Sequence, residues 1–267
     1  MPMDPAPAAP SRQSLAEHLI RTRIAGDVAT SRENNLDHFR ALAEGNRYYW
    51  FGLELGDRWT DLSAVLELMA ERCGVVASPK HRHGQDTIDP ELTIDALDRM
   101  ADVLHKAAEN GSRVLLATGH PAGLFAVHHA LADALRAAGC TLITPPDHLY
   151  ADGGEIRHLA SVSMLHRGGG LAHTHSPDPM REILEALERA GEPLPDLVVA
   201  DHGWAGYAGG QGIDTVGFAD CNDPALFVGE AEGSVLVTVP LDDNVPPHLY
   251  APLTAYLLAA AGLDARI

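Results

Sequence analysis

Residues 113–123 read RVLLATGHPAG: an apolar run, a turn carrying Thr118, Gly119 and His120, and then a Pro-led helix start. Residues 114–117 lack the period-two alternation of a half-exposed strand. A strand covered by helices on both faces, as in a parallel sheet, has this continuous apolar pattern. The same unit recurs downstream as TLITPPD (141–147), VSMLHRGGG (162–170), DLVVADHG (196–203), DTVGFADCND (214–223) and SVLVTVPLDD (234–243). Helical stretches are expected between them at 123–138, 179–190, 223–232 and 246–261. Strand and helix alternation of this kind predicts a three-layer α/β fold with a mainly parallel, Rossmann-like sheet.

Upstream of the switch the pattern is helical. Leu15, Leu19 and Ile20, then Leu36, Phe39 and Leu42, then Leu62, Val65, Leu66 and Met69 recur at helix spacing, and no strand is expected. The best-bounded helix follows Asp89-Pro90, where Asp caps and Pro occupies the first turn, and stops at Asn110-Gly111. The expected organisation is a disordered lead at 1–12 (MPMDPAPAAPSR), a helical N-terminal cap at 13–111 and the α/β core at 112–267, integrated as one domain.

Composition narrows the partners. The chain of 267 residues carries 19 Lys and Arg against 37 Asp and Glu, a net charge of −18, with aromatics at 5%. Such a surface repels nucleic acid and anionic membranes, so the expected partner is a small molecule, and an anionic one needs a local positive field. Cys73, Cys140 and Cys221 form no CxxC pair, and the N-terminus lacks the basic start and apolar stretch of a secretion signal. A cytoplasmic location follows as the expectation. The oligomeric state is left open, a homodimer included.

In an open parallel sheet, ligands bind beyond the carboxyl ends of the strands. The polar residues there are Thr118, Gly119 and His120; Asp147 and His148; His166; Asp201 and His202; Asp220, Asn222 and Asp223; and Asp242, Asp243 and Asn244. Asp201, Asp220, Asn222 and Asp223 offer hard oxygen ligands for Mg²⁺ or Mn²⁺. Asp220 or Asn222 equally suits a cap for the helix near Pro224, with Asp223 offsetting its dipole. Gly119 and His120 lie in a turn that either cradles phosphate or is an ordinary tight βα turn. In the HTHS stretch at 173–176, strand geometry points the two imidazoles to opposite sides, so only one faces a shared site. His175 is the choice, with Ser176 donating to the ligand; a purely structural pair is the alternative. Arg32 opens a helix either as an anion clamp or as an exposed first turn.

No Walker loop, GxGxxG, GxSxG or HExxH is present, and the first core strand lacks an aspartate nucleophile.

The motifs RIAGD (23–27), GQDTID (84–89), TGHP (118–121), ADHGWAG (200–206) and DCNDP (220–224) resemble, over nearly the whole chain, a family of bacterial proteins labelled phosphatases. Residues 200–225 show a looser similarity to metal-dependent damage-control phosphatases and D-glutamate cyclase-like proteins. His202, which follows the first aspartate, departs from the latter pattern. The reading that results is a metal-assisted phosphatase acting on a small phosphorylated metabolite. Asp201, Asp220, Asn222 and Asp223 would hold Mg²⁺ or Mn²⁺, Gly119, His120, Arg32 and Ser176 would bind substrate, and His175 or His202 would supply a proton. A cyclase or lyase acting on a small acid, or a non-catalytic binding protein for a phosphorylated metabolite, are the competing readings.

Overall fold

The structure, a computed structural model, describes residues 9–264. The expected disordered lead falls largely on residues 1–8, outside the described residues. Arg12 already opens the first helix, whose Ser11 cap accepts from the Ser14 N–H.

The N-terminal part runs α1 (Arg12–Thr22), β1 (Gly26–Ser31), α2 (Arg32–Ala43), α3 (Leu62–Cys73), β2 (Gln85–Ile88) and α4 (Pro90–Asn110). Helix α4 has the expected bounds. Asp89 accepts from the Glu91 N–H, Pro90 sits in the first turn, and Gly111 ends it at a φ of 61°. The expectation of no strands here is corrected, because β1 and β2 pair antiparallel, Gly26 opposite Ile88 and Ser31 opposite Gln85. Neither has a hydrophobic alternation of its own. Each becomes a strand by pairing with a segment remote in sequence, a contact that a local pattern does not encode.

The core continues with β3 (Arg113–Ala117), α5 (Pro121–Ala137), β4 (Thr141–Leu142), β5 (Leu149–Ala151), β6 (Gly154–Leu159), β7 (Val162–Arg167), β8 (Gly170–Leu171), α6 (Asp178–Ala190), β9 (Leu197–Asp201), α7 (His202–Gly210), β10 (Asp214–Ala219), α8 (Pro224–Glu232), β11 (Val237–Pro240) and α9 (Ala251–Ala260). Among the described residues these strands form a nine-stranded sheet of order β11-β10-β9-β3-β7-β6-β5, with β4 on β3 and β8 on β7. Strands β11 through β7 run parallel, whereas β5, β6 and β8 add antiparallel hairpins at one edge. The helices form two sets. One packs α1, α4, α5 and α9 together; the other packs α2, α3, α6, α7 and α8. The α/β class with a mostly parallel sheet is therefore as expected.

Helix α7 is the element the sequence conceals. HGWAGYAGG carries four glycines, each unfavourable in a helix by about 1 kcal/mol relative to alanine. Tertiary packing offsets that cost, since Trp204, Ala205 and Ala208 are fully buried. From β3 the chain crosses toward β7, and from β9 it crosses toward β10. The opposed connections open a crevice between the carboxyl ends of β3 and β9, where ligands bind in open α/β sheets.

Candidate functional site

Four neighbouring strands deliver polar residues to that crevice: His120 after β3, Asp201 and His202 at β9, Asp220 and Asp223 after β10, and Asp242 and Asp243 after β11. The loop before α6 adds His173 and His175. The rings of His120, His173, His175 and His202 lie 4.4 to 5.9 Å apart in successive pairs.

His202 sits at the centre. Its φ of 49° places a non-glycine residue in the left-handed region at the first turn of α7, a conformation that costs energy and clusters at functional sites. Its Nδ1 is 2.7 Å from Asp201 Oδ1. Its Nε2 lies 3.4 Å from both Asp223 Oδ2 and Asp243 Oδ2. Asp201 is fully buried; Oδ1 also accepts from the Gly119 N–H at 2.8 Å, and Oδ2 lies 3.1 Å from His128 Nε2. Gly119 is required here because a Cβ would collide with the Thr174 carbonyl oxygen, and Gly203 because a Cβ would strike the His175 carbonyl. These two close approaches bring the histidine loop onto the strand ends.

Around this pair, His120 Nδ1 is 3.1 Å from Asp243 Oδ1, and His175 Nδ1 is 4.0 Å from Asp223 Oδ1. Tyr48 stacks on His175 with ring centroids 5.6 Å apart, and Phe51 meets the same ring edge-on. The N-terminal part also reaches in: Thr30 Oγ1 donates to Asp220 Oδ2 at 2.5 Å, and the Ala29 N–H donates to Asp242 Oδ2 at 3.2 Å. Asp220 Oδ1 accepts from the Cys221 N–H, and Asp242 Oδ1 from the Asn244 N–H.

The protonation equilibria are far from ordinary. Burial works to lower the pKa of His202, but the hydrogen bond and charge of Asp201, with the charges of Asp223 and Asp243, raise it to about 10. Burial also opposes ionisation of Asp201, yet hydrogen bonds from His128 and His202 hold that carboxyl below its usual range. Burial lifts Asp223 to about 7, with Asp243 and Asp201 adding to the rise against His202. Asp220 goes well up through burial and the charges of Asp243 and Asp242. Burial and neighbouring imidazoles drop His175 to about 2 and His173 to about 4.

This donor set fits a cation. Asp223 Oδ1, Asp243 Oδ2 and His175 Nδ1 are buried without hydrogen-bond partners. Unpaired buried polar atoms are costly, and an ion can satisfy several at once. His175, His202 and Asp223 present ligand atoms within 4.8 Å of one another, as do His120, His173 and His202, and Asp220, Asp242 and Asp243. Among the described residues no Lys or Arg forms an ion pair with Asp201, Asp220, Asp223, Asp242 or Asp243. Positive potential comes instead from α5, α7 and α8, whose N-termini open here without side-chain caps.

Several expectations are corrected. Arg32 is fully buried and unavailable as an anion clamp: Nη1 donates to Asp86 at 2.7 Å, Nε to the His81 carbonyl, and Nη2 to those of Val76 and Ser78. The Gly119 N–H is taken by Asp201 and cannot cradle phosphate. Asp201 Oδ1 accepts from both the Gly119 N–H and His202, and Oδ2 faces His128, so this carboxylate orients His202 and keeps only one spare lone pair, on Oδ2. Ser176 Oγ accepts from the Asp178 N–H at the start of α6, a bond that leaves its hydroxyl proton to donate. Asn222 contributes its carbonyl to His38 Nδ1 at 2.9 Å, and its side chain makes no hydrogen bond to the cluster. Neither Asp220 nor Asn222 caps α8, since Asp223 occupies that position, without a capping bond but where its charge can offset the helix dipole. His173 and His175 both face the site, because residues 172–176 are not a strand and period-two geometry does not apply. His166 lies off the rim: Ala117 pairs with Ser163, so β7 runs on past the end of β3. His148 is exposed beside Glu155. What remains together is His120, His175, His202, Asp220 and Asp223, joined by His173, Asp242 and Asp243.

Among the described residues no helix is long and apolar enough to cross a membrane. A family model described as Phosphatase matches residues 10–265. The chain is also 63% identical over 260 residues to Phosphatase SCO2771 of Streptomyces coelicolor, covering 97% of this chain and 99% of that protein. By both measures the chain belongs to this phosphatase family.

Proposed function

We propose that the protein is a divalent-cation-dependent phosphomonoesterase acting on a small phosphorylated metabolite in the cytoplasm. The observation that carries this is the pair of unpartnered carboxylate oxygens, Asp223 Oδ1 and Asp243 Oδ2, in a buried histidine cluster. His175, His202 and Asp223 would hold the ion. Their mixed nitrogen and oxygen donors favour Mn²⁺ over Mg²⁺, which prefers oxygen alone. Such an ion, when bound, supplies polarisation of phosphoryl oxygens and a lowered pKa for water.

The chain's own groups do the rest. Asp201 fixes the His202 tautomer by accepting at Nδ1, leaving Nε2 as the ligand atom; His202 is then unavailable as the acid. His120 is backed at Nδ1 by Asp243, which raises its pKa despite burial. Its Nε2 is the nitrogen that can hold a phosphoryl oxygen and protonate the leaving alkoxide. Water adds to phosphorus, the ester P–O bond breaks, and alcohol and inorganic phosphate leave. The buried thiols Cys73, Cys140 and Cys221 support a reducing compartment.

The test is phosphate release from a panel of small phosphomonoesters by chelator-treated protein with and without Mn²⁺ or Mg²⁺. Release restored by Mn²⁺ and lost in Asp223→Asn is expected. Substrate consumed without phosphate release would mean a cyclase or lyase, and binding without turnover would mean a binding protein; either overturns the proposal.

A further inference from the structure

Beside the histidine-bearing position lies a second set of donors with different chemistry. Asp220, Asp242 and Asp243 present carboxylate oxygens within 4.8 Å of one another, all buried, with relative exposures of 5%, 1% and 5%. Among the described residues no Lys or Arg forms an ion pair with them, and only Asp243 has imidazole neighbours, His120 and His202. Acidic groups alone do not make a site, but Asp243 adds an independent observation: its Oδ2 is buried, has no hydrogen-bond partner, and lies 3.4 Å from His202 Nε2. Its Oδ1 is turned to His120. One carboxylate therefore belongs to the acidic set and at the same time borders the donor atom proposed for the first ion.

The other two carboxylates are held in orientation from behind. Asp220 receives the Thr30 hydroxyl and the Cys221 N–H, and Asp242 receives the Ala29 and Asn244 N–H groups. Each of these bonds uses one lone pair of an oxygen that has two. The donors come from strand-end and loop backbone and from β1, and the segment leading into β1 is tied to the sheet terminus by the Asp242 N–H donating to the Ile24 carbonyl. That is the outer-shell support seen around metal-binding carboxylates.

We propose that Asp220, Asp242 and Asp243 form a second, all-oxygen cation position, with Asp243 linking it to the position at His175, His202 and Asp223. The inference rests on the reading that the histidine set holds the first ion. The two positions differ in kind: nitrogen donors suit Mn²⁺ and similar transition metals, whereas carboxylates alone suit a hard ion such as Mg²⁺. Two adjacent ions would also neutralise a phosphate dianion in a crevice that offers it no Arg or Lys ion pair.

The experiment is metal content of the chelator-treated, refilled full chain, with Mn²⁺ electron paramagnetic resonance as a second readout. Two Mn²⁺ per chain are expected, with a broadened, spin-coupled spectrum at the second equivalent. Excess Mg²⁺ should displace one of the two. Asp242→Asn should bind a single Mn²⁺ with an uncoupled spectrum, and Asp220→Asn should do the same if the first variant does not fold. One Mn²⁺ in the wild type, or two in both folded variants, overturns this inference and leaves the first site standing. No bound Mn²⁺ at all would overturn the metal-dependent function itself.

Discussion

Asp201 and His202 are adjacent in sequence, and their side chains are bonded to each other, Oδ1 to Nδ1 at 2.7 Å, on a backbone that takes a left-handed turn between strand β9 and helix α7. The turn lets neighbouring residues act as a unit. The carboxylate also gathers the Gly119 N–H and His128 Nε2, which ties β3 and α5 to the same point. An ordinary strand would send successive side chains to opposite faces.

Asp201→Asn tests that unit. The amide oxygen at the Oδ1 position can still accept from Gly119 and His202, but the charge behind His202 is lost and an NH2 replaces the oxygen that faces His128 Nε2, so His202 is held less firmly. Loss of such a supporting group typically weakens metal binding by about 10–100-fold. Mn²⁺ titration should show a fall of that order in a protein that melts as a folded chain. Unchanged affinity would mean that the carboxylate only packs the crevice.

The pH dependence of the metal-free protein follows from His202. Its folded-state pKa is raised to about 10 from 6.5, so the stability contributed by the protonated ring is complete below pH 6.5 and is lost as pH rises toward 10. Asp223, raised from 3.8 to about 7, acts in the same direction but between those two values, so its share is lost before most of the His202 range. Thermal melting of chelator-treated protein from pH 7 to pH 10 should therefore show a falling Tm. His202→Asn, which tolerates the left-handed backbone and does not titrate, should flatten the slope. An equal slope in the variant would exclude His202 as its source.

Arg32 should act on stability and not on catalysis. Arg32→Met leaves the Asp86 carboxylate buried, with the Asn35 side chain, the Val76 N–H and the Thr87 N–H as its remaining donors. Breaking a buried pair from one side costs about 3–5 kcal/mol. Urea unfolding should show a loss of that size, while phosphate release at a temperature where the variant is folded stays at the wild-type level. A large rise in KM with unchanged stability would restore the anion-clamp reading.

The local sequence determined the sheet and the crevice rim. Continuous apolar runs such as those in β3 and β9 need cover on both faces, and each is followed by a turn with Gly or Asp that can only lie at a strand end, so His120, Asp201 and Asp220 were legible as rim residues. The Asp89 cap and Gly111 stop marked α4 for the same reason: the signal lies within a few residues of the structure it specifies. Tertiary structure decided what each rim residue does. Whether Asp201 faces an ion or a histidine depends on the position of His128 in α5 and Gly119 after β3, and whether Arg32 is free depends on Asp86, which arrives from β2. The missed strands β1 and β2 and the missed helix α7 have the same physical origin. Their local propensities are weak or adverse, and they form because a partner remote in the chain satisfies their backbone or covers their glycines. His173 and His175 could not be placed from spacing either, because the loop that carries them takes its course from packing against Gly119 and Gly203, two positions where the absence of a side chain is what the site requires.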